Sequence, residues 1–223
     1  MMRMGKHWAW CGVVMFVGIC LLTVTTLDAQ SKKSAKQAEN LEKSSESARA
    51  AVEDLLKHLG KMLGGYNSII KGEAKNTQSA YKSLVGDLNS TDKKIEGVKK
   101  QLTGLNKEAD KFFKAWEQDL SDISSDSLRE KSASRMEAAK QRYASIGETL
   151  ASARNEFAPV VQNLNDQILY LGRDLSPEAV ADLQDEAEEL NQQAAAVTEK
   201  VTAMLQSAGK AQDEADAELE VDE

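Results

Sequence analysis

The sequence predicts an all-α protein, an elongated antiparallel helical bundle or coiled-coil hairpin of about four long helices. Three observations lead there. Apolar residues recur at alternating steps of three and four along nearly all of the chain beyond residue 30, as in Tyr81, Leu84, Leu88, Val98, Leu102, Leu105, Phe112 and Trp116. That spacing gathers them on one stripe of a helix seeking another helix. The composition is rich in Ala, Leu, Glu, Lys and Gln, whereas aromatics make up 5% of the 223 residues, the usage of helices rather than of sheets. Finally, there are only two prolines, and the stripe lapses at few places.

The N-terminal segment comes first. Arg3 and Lys6 precede a run from Trp8 to Leu27 without a charged residue, followed by Asp28, Ala29 and a polar, lysine-containing stretch. This is the layout of a secretory signal, with Leu27 and Ala29 at the two positions that specify cleavage. The run of about 20 residues is also just long enough to cross a bilayer. Residues 1–29 therefore read as a signal peptide or as an uncleaved anchor that holds the membrane through residues 8–27. Export, to the periplasm or another extracytoplasmic space, is expected on both readings. A lipid-modified cysteine needs a small residue before it, but Ile19 precedes Cys20 and Trp10 precedes Cys11.

Residues 30–209 carry the helices. The first stretch places Leu41, Ala48, Val52, Leu55, Leu59, Met62, Tyr66 and Ile69 in one line, weakened at Gly64 and Gly65. The stripe lapses in KGEAKN, residues 71–76, where Gly72 can close a helix and Asn76 or Thr77 can cap the next. The second stretch is the one quoted above, with Ile95 and Ala109 on the stripe and Thr91 and Asp119 as polar interruptions. It ends in the cluster SDISSD, residues 121–126, which favours a turn. Ser127 with Glu130 then forms a capping box.

The third stretch follows Ala139, Tyr143, Ile146, Leu150, Ala153, Phe157, Val160, Leu164, Ile168 and Leu171, with Pro159 inside it and Gly172 at its end. A proline costs an interior helix about 3 kcal/mol, so a kink is expected there. Ser176, Pro177 and Glu178 then supply an N-cap, a first helical residue and a favourable charge for a fourth helix. Its line is Val180, Leu183, Ala187, Leu190, Ala194, Val197, Val201 and Met204. Short turns force the long helices antiparallel, and at about 1.5 Å per residue the longest span roughly 65 to 70 Å. Residues 210–223 are almost wholly acidic and read as a solvated, disordered tail.

The residue types from which enzymes build sites are scarce. Both cysteines lie in the N-terminal segment, which excludes disulfides and thiolate metal sites beyond it. His58 is the one histidine past residue 30 and reads as a solvent-exposed structural residue on a charged helix. The Gly-Lys pairs at 5–6, 60–61 and 209–210 are followed by His7, Met62 and Ala211, so none makes a phosphate loop. Glu186, Glu188 and Glu189 have no histidine at di-iron spacing and read as a solvated face. Trp116, Tyr143, Phe157 and Tyr170 read as core, and Arg129, Arg135 and Arg142 as a salt-bridged surface. No catalytic, cofactor-binding or metal-ligating residue is assigned, and no cofactor is expected. The net charge of −8 would repel nucleic acid and anionic lipid surfaces.

FFKAWEQDL at 112–120, SLREKSASRMEAAKQRY at 127–143 and FAPVVQNLNDQILYLGRDLSPEAVADLQDE at 157–186 resemble a bacterial family of exported coiled-coil proteins, domain of unknown function 2959. The resemblance extends from about Tyr81 to Leu205, and the first helix matches only loosely. It implies a secreted or lipid-anchored coiled coil and carries no active-site residue. Some members bear the label DNA repair ATPase, which the missing phosphate loop does not support. The expectation is a non-enzymatic envelope protein acting as spacer, scaffold or oligomerising element, with itself or envelope proteins as partners. The alternative is a binding module whose groove or acidic tail holds a ligand, cation or partner.

Overall fold

The computed structural model describes the backbone of residues 26–220 and the side chains of residues 33–211. The signal or anchor reading of residues 1–29 falls almost wholly outside the described residues. In chain order the elements are α1 (Thr26–Ile70), α2 (Thr77–Ser121), α3 (Asp126–Leu171), α4 (Pro177–Ala181) and α5 (Gln184–Glu220). Among the described residues there is no strand. The first three helices have 45, 45 and 46 residues, so each is roughly 68 Å long.

Cross-helix bonds establish an up-and-down bundle. Between α1 and α2, Ser34 pairs with Asp119, Asp54 with Lys94 and Lys61 with Asp87. Numbers rise on one helix as they fall on the other, so the pair is antiparallel. Trp116 with Ser132 and Tyr81 with the Ile168 carbonyl do the same for α2 and α3. Glu156 with Lys200 and Asn163 with Gln193 do so for α3 and α5. The stripe of α2 packs against both neighbours, more extensively on α1 than on α3. α1 packs against α5 far less than it packs against α2.

Local chemistry sets the ends. Gly72 has φ +69°, the left-handed region that costs a side-chain-bearing residue energy. Asn76 caps α2, its Oδ1 accepting from the Ser79 N–H at 2.8 Å. α3 starts two residues earlier than the predicted capping box: Ser125, not Ser127, is its N-cap, without a side-chain cap bond. Asp126 instead takes the first-turn position beside the helix dipole, ion-paired to Arg129. α3 is unbroken across Pro159.

Ser176 and Pro177 open a helix as predicted, Ser176 Oγ accepting from the Ala179 N–H at 3.2 Å. The single fourth helix of the sequence reading is divided, however. At Leu183 the bonding tightens to a three-residue step, its N–H bonding the Val180 carbonyl at 3.3 Å, and both Ala179 and Leu183 are buried. α5 then runs to Glu220, well into residues 210–223, whose side chains beyond Ala211 lie outside the described residues.

The interior is one continuous apolar column. Leu41 to Ile70 of α1, Leu84 to Phe113 of α2, Ile146 to Leu171 of α3, Leu183 between α4 and α5, and Ala187 to Ala208 of α5 contribute to it. Phe113 is buried while its neighbour Phe112 is only partly so. Tyr170, expected in the core, is 45% exposed. It lies between the buried residues Ile168 and Leu171 and follows Leu169, which also faces outward.

Candidate functional site

Polar side chains meet inside the bundle at two levels, and both are built by residues adjoining the apolar stripes. The first lies between α1 and α2. His58 follows Leu55 by three residues and so turns inward, where Thr91, the polar interruption of α2, faces it. His58 is 7% exposed and Thr91 1%, which corrects the expectation of a solvent-exposed histidine. The imidazole Nε2 lies 3.0 Å from the Asp87 carbonyl and 3.1 Å from Thr91 Oγ1. A carbonyl only accepts, so the proton resides on Nε2. Ser90 and Thr91 hydroxyls bond the same carbonyl at 2.8 and 3.2 Å. The cluster ties the two helices together.

The second level joins α1, α3 and α5. Tyr66, fully buried, donates its hydroxyl to Gln167 Oε1. Gln167 Nε2 in turn donates to Asn163 Oδ1 at 2.9 Å and to the Glu186 carbonyl at 3.2 Å. Asn163 reaches Gln193 at 3.1 Å. Beside them Asn67 and Asn191 exchange amide bonds at 2.8 and 2.9 Å. Burial, with a smaller contribution from the Glu186 charge, pushes the Tyr66 phenol well above its ordinary range. A neutral, donating phenol is what holds Gln167, so this network fixes helix register and does not supply a base at physiological pH.

An aromatic cluster occupies the other end of α2. Phe112 and Phe113, Phe112 and Trp116, and Phe113 and Tyr143 meet edge to face at 5.2, 5.6 and 6.2 Å. Trp116 Nε1 donates to Ser132 Oγ of α3 at 3.0 Å, so this tryptophan packs against the third helix as the stripe predicts.

The surface has grooves along three helix seams. One of about 460 Å³ between α2 and α3 is lined by Phe113, Met136, Tyr143, Lys114 and Lys140 among others. One of about 540 Å³ between α3 and α5 is lined by hydroxyl residues, Lys200 and Met204. A third, of about 560 Å³, runs between α1 and α5. Arg129 and Asp126 form an ion pair on the surface. Glu186, Glu188 and Glu189 are exposed; the last two accept from Gln192 and Gln193, one turn on, at 3.4 Å. Tyr170 donates to Asp182 at 3.0 Å, a bond that raises its own pKa.

Among the described residues no group of three His, Cys, Asp or Glu is placed to hold a metal, and no helix is long and apolar enough to cross a membrane. The sequence reading missed both polar levels. Their only signal is position: Asn67, Gln167 and Asn191 each sit next to a stripe residue, Tyr66, Ile168 and Leu190.

A family model described as protein of unknown function (DUF2959) matches residues 28–215. No curated protein and no solved structure matches the chain.

Proposed function

Because the chain belongs to the DUF2959 family, whose description assigns no activity, we propose a function from its architecture: a non-catalytic helical spacer or scaffold of the cell envelope. One observation carries the reading. Helices of 45, 45 and 46 residues close on one another along a continuous apolar column, and His58, Tyr66 and Asn67 bond to side chains of other helices within it. Such a body holds two things apart at a set distance, because its length is fixed by hydrogen bonds and its interior resists shear.

The charge-free run from Trp8 to Leu27 after Arg3 and Lys6 supports placement outside the cytoplasm. A reporter enzyme that is active only after export, fused beyond Glu223, tests the placement: activity is expected, and an inactive fusion retained in the cytoplasm rejects it. X-ray scattering tests the shape. A maximum dimension of roughly 70 Å or more is expected from the helix lengths, and a compact scattering profile rejects the spacer.

A further inference from the structure

The α1–α5 seam carries a feature that a simple spacer does not need. Its groove has Leu56 and Leu205 in its lining, with Arg49, Lys57 and Lys210 at its edges against one carboxylate, Glu53. Glu53 lies 3.7 Å from Arg49 Nε, so the groove is net positive in a chain of formal net charge −8. Gly209 is part of the lining, and a Cβ there would lie 3.1 Å from Arg49 Nη1.

The complementary charge is in the chain itself. From Asp213 to Glu223 there are seven carboxylates and no basic residue. The same copy cannot deliver them, because α5 continues as a helix past Lys210 to Glu220 and carries that stretch along its axis, away from the groove. We propose that the groove receives the acidic end of α5 from a second copy, and that the exchange is reciprocal. A two-fold axis near residue 212 sets the two α5 helices antiparallel. Lys210 then faces residues 213–216 of the other copy, and Lys57, further along the groove, lies toward Glu220. Such an interface is isologous and closes at two copies. Opposite charges favour this register, and the parallel arrangement would set acidic ends against each other.

The inference rests on the scaffold reading, since it makes the rod a paired one, yet it fails separately: an elongated chain that never pairs rejects the dimer and leaves the spacer standing. The test uses the full chain in non-ionic detergent, prepared as an equal mixture of light- and heavy-isotope copies. A carbodiimide joins lysines to carboxylates in direct contact. Mixed-isotope cross-links from Lys57 or Lys210 to residues 213–223 are expected. They should vanish in about 1 M salt, where screening acts within roughly 3 Å. Cross-links only within one isotope, or none involving this groove, overturn the proposal.

Charge exchange guards against a misfolded variant. R49E/K57E/K210E reverses the groove. Lysine in place of Asp213, Glu214, Asp216, Glu218 and Glu220 reverses the tail. Each variant alone should lose the mixed-isotope links while keeping its helical circular dichroism. Mixed together they should regain pairing with each other, through acid–base links of reversed sense. Failure to pair in the mixture, with both variants helical, overturns the proposal as well.

Discussion

The two ends of this bundle are made from the same helices but not from the same interior. At the closed end, where α1 turns into α2 and α3 into α4, Tyr66, Leu84, Leu164, Leu171 and Leu190 are almost completely enclosed, and Tyr66, Asn67, Gln167 and Asn191 bond across helices. At the open end, where α2 turns into α3, the described side chains thin out. α2 has no buried residue beyond Phe113 and α3 none before Ile146, and Leu128 is 58% exposed. There the contacts include edge-to-face rings, the Trp116–Ser132 bond and the Ser34–Asp119 bond. The difference teaches that, among the described side chains, the closed end holds the more deeply buried residues and the open end relies more on partly buried rings. The groove proposed for pairing lies between these regions, along the α1–α5 seam.

The sharpest way to break the comparison is to cut one large side chain from each region. Phe157 is fully buried, and Phe157→Ala should cost about 3–5 kcal/mol in urea unfolding. Trp116 is only partly buried against the core, and Trp116→Ala should cost about 1–2 kcal/mol. Equal costs would mean that the open end is packed as tightly as the closed one.

Next in size is the amide pair. Asn191→Leu strands the Asn67 amide in a part-buried site, at about 1–3 kcal/mol. The double variant N67L/N191L should recover most of that loss by matching apolar to apolar, since the pair specifies register more than it stabilises. A double-mutant cycle in thermal unfolding reads this directly. If the double variant is as destabilised as the sum of the singles, the pair is not coupled.

Much of this was legible in the sequence, and the reasons are physical. The four stripes, the Gly72 turn, the Asn76 cap and the Ser176–Pro177 start are local, set by side-chain spacing and backbone freedom within a few residues. His58 was read wrongly because its place depends on a partner distant in sequence, whereas Tyr170 and the split between α4 and α5 turn on which of several neighbouring residues takes the inward position, and the spacing alone leaves that choice open. His58 needs Thr91 across the interface to be tolerated inside, and Tyr170 faces outward because Ile168 and Leu171 take the inward positions. The polar level at Tyr66 and Gln167 spans 101 residues, and no window along the chain contains both.

Alkaline pH gives a smaller, directional test of the same level. The Tyr66 phenol has its pKa raised from an ordinary value of 10.0, so the fold favours the neutral form. Its contribution is fully present below about pH 10 and is lost as pH rises toward the folded-state value. The melting temperature should therefore fall above pH 10, and less steeply in Tyr66→Phe. Parallel curves for the two proteins would show that the phenol is not held neutral by burial.

The smallest effect is the most specific, because its sign depends on one hydroxyl. Gly172 ends α3 with φ −67°, a conformation that alanine adopts freely. Alanine there should stabilise by about 0.4–1 kcal/mol through the unfolded state, were there room for its methyl. There is none: the added Cβ would lie 2.5 Å from the Tyr81 Oη, which is held by its bond to the Ile168 carbonyl at 3.2 Å. Gly172→Ala should therefore destabilise, by about 1 kcal/mol or more as the ring is displaced. In the Tyr81→Phe background the obstructing oxygen is gone, and the same substitution should turn neutral or stabilising. Thermal melts of the four proteins in the cycle read the change of sign. If alanine costs the same in both backgrounds, Gly172 is kept for its backbone and the closed end is looser around Tyr81 than its geometry requires.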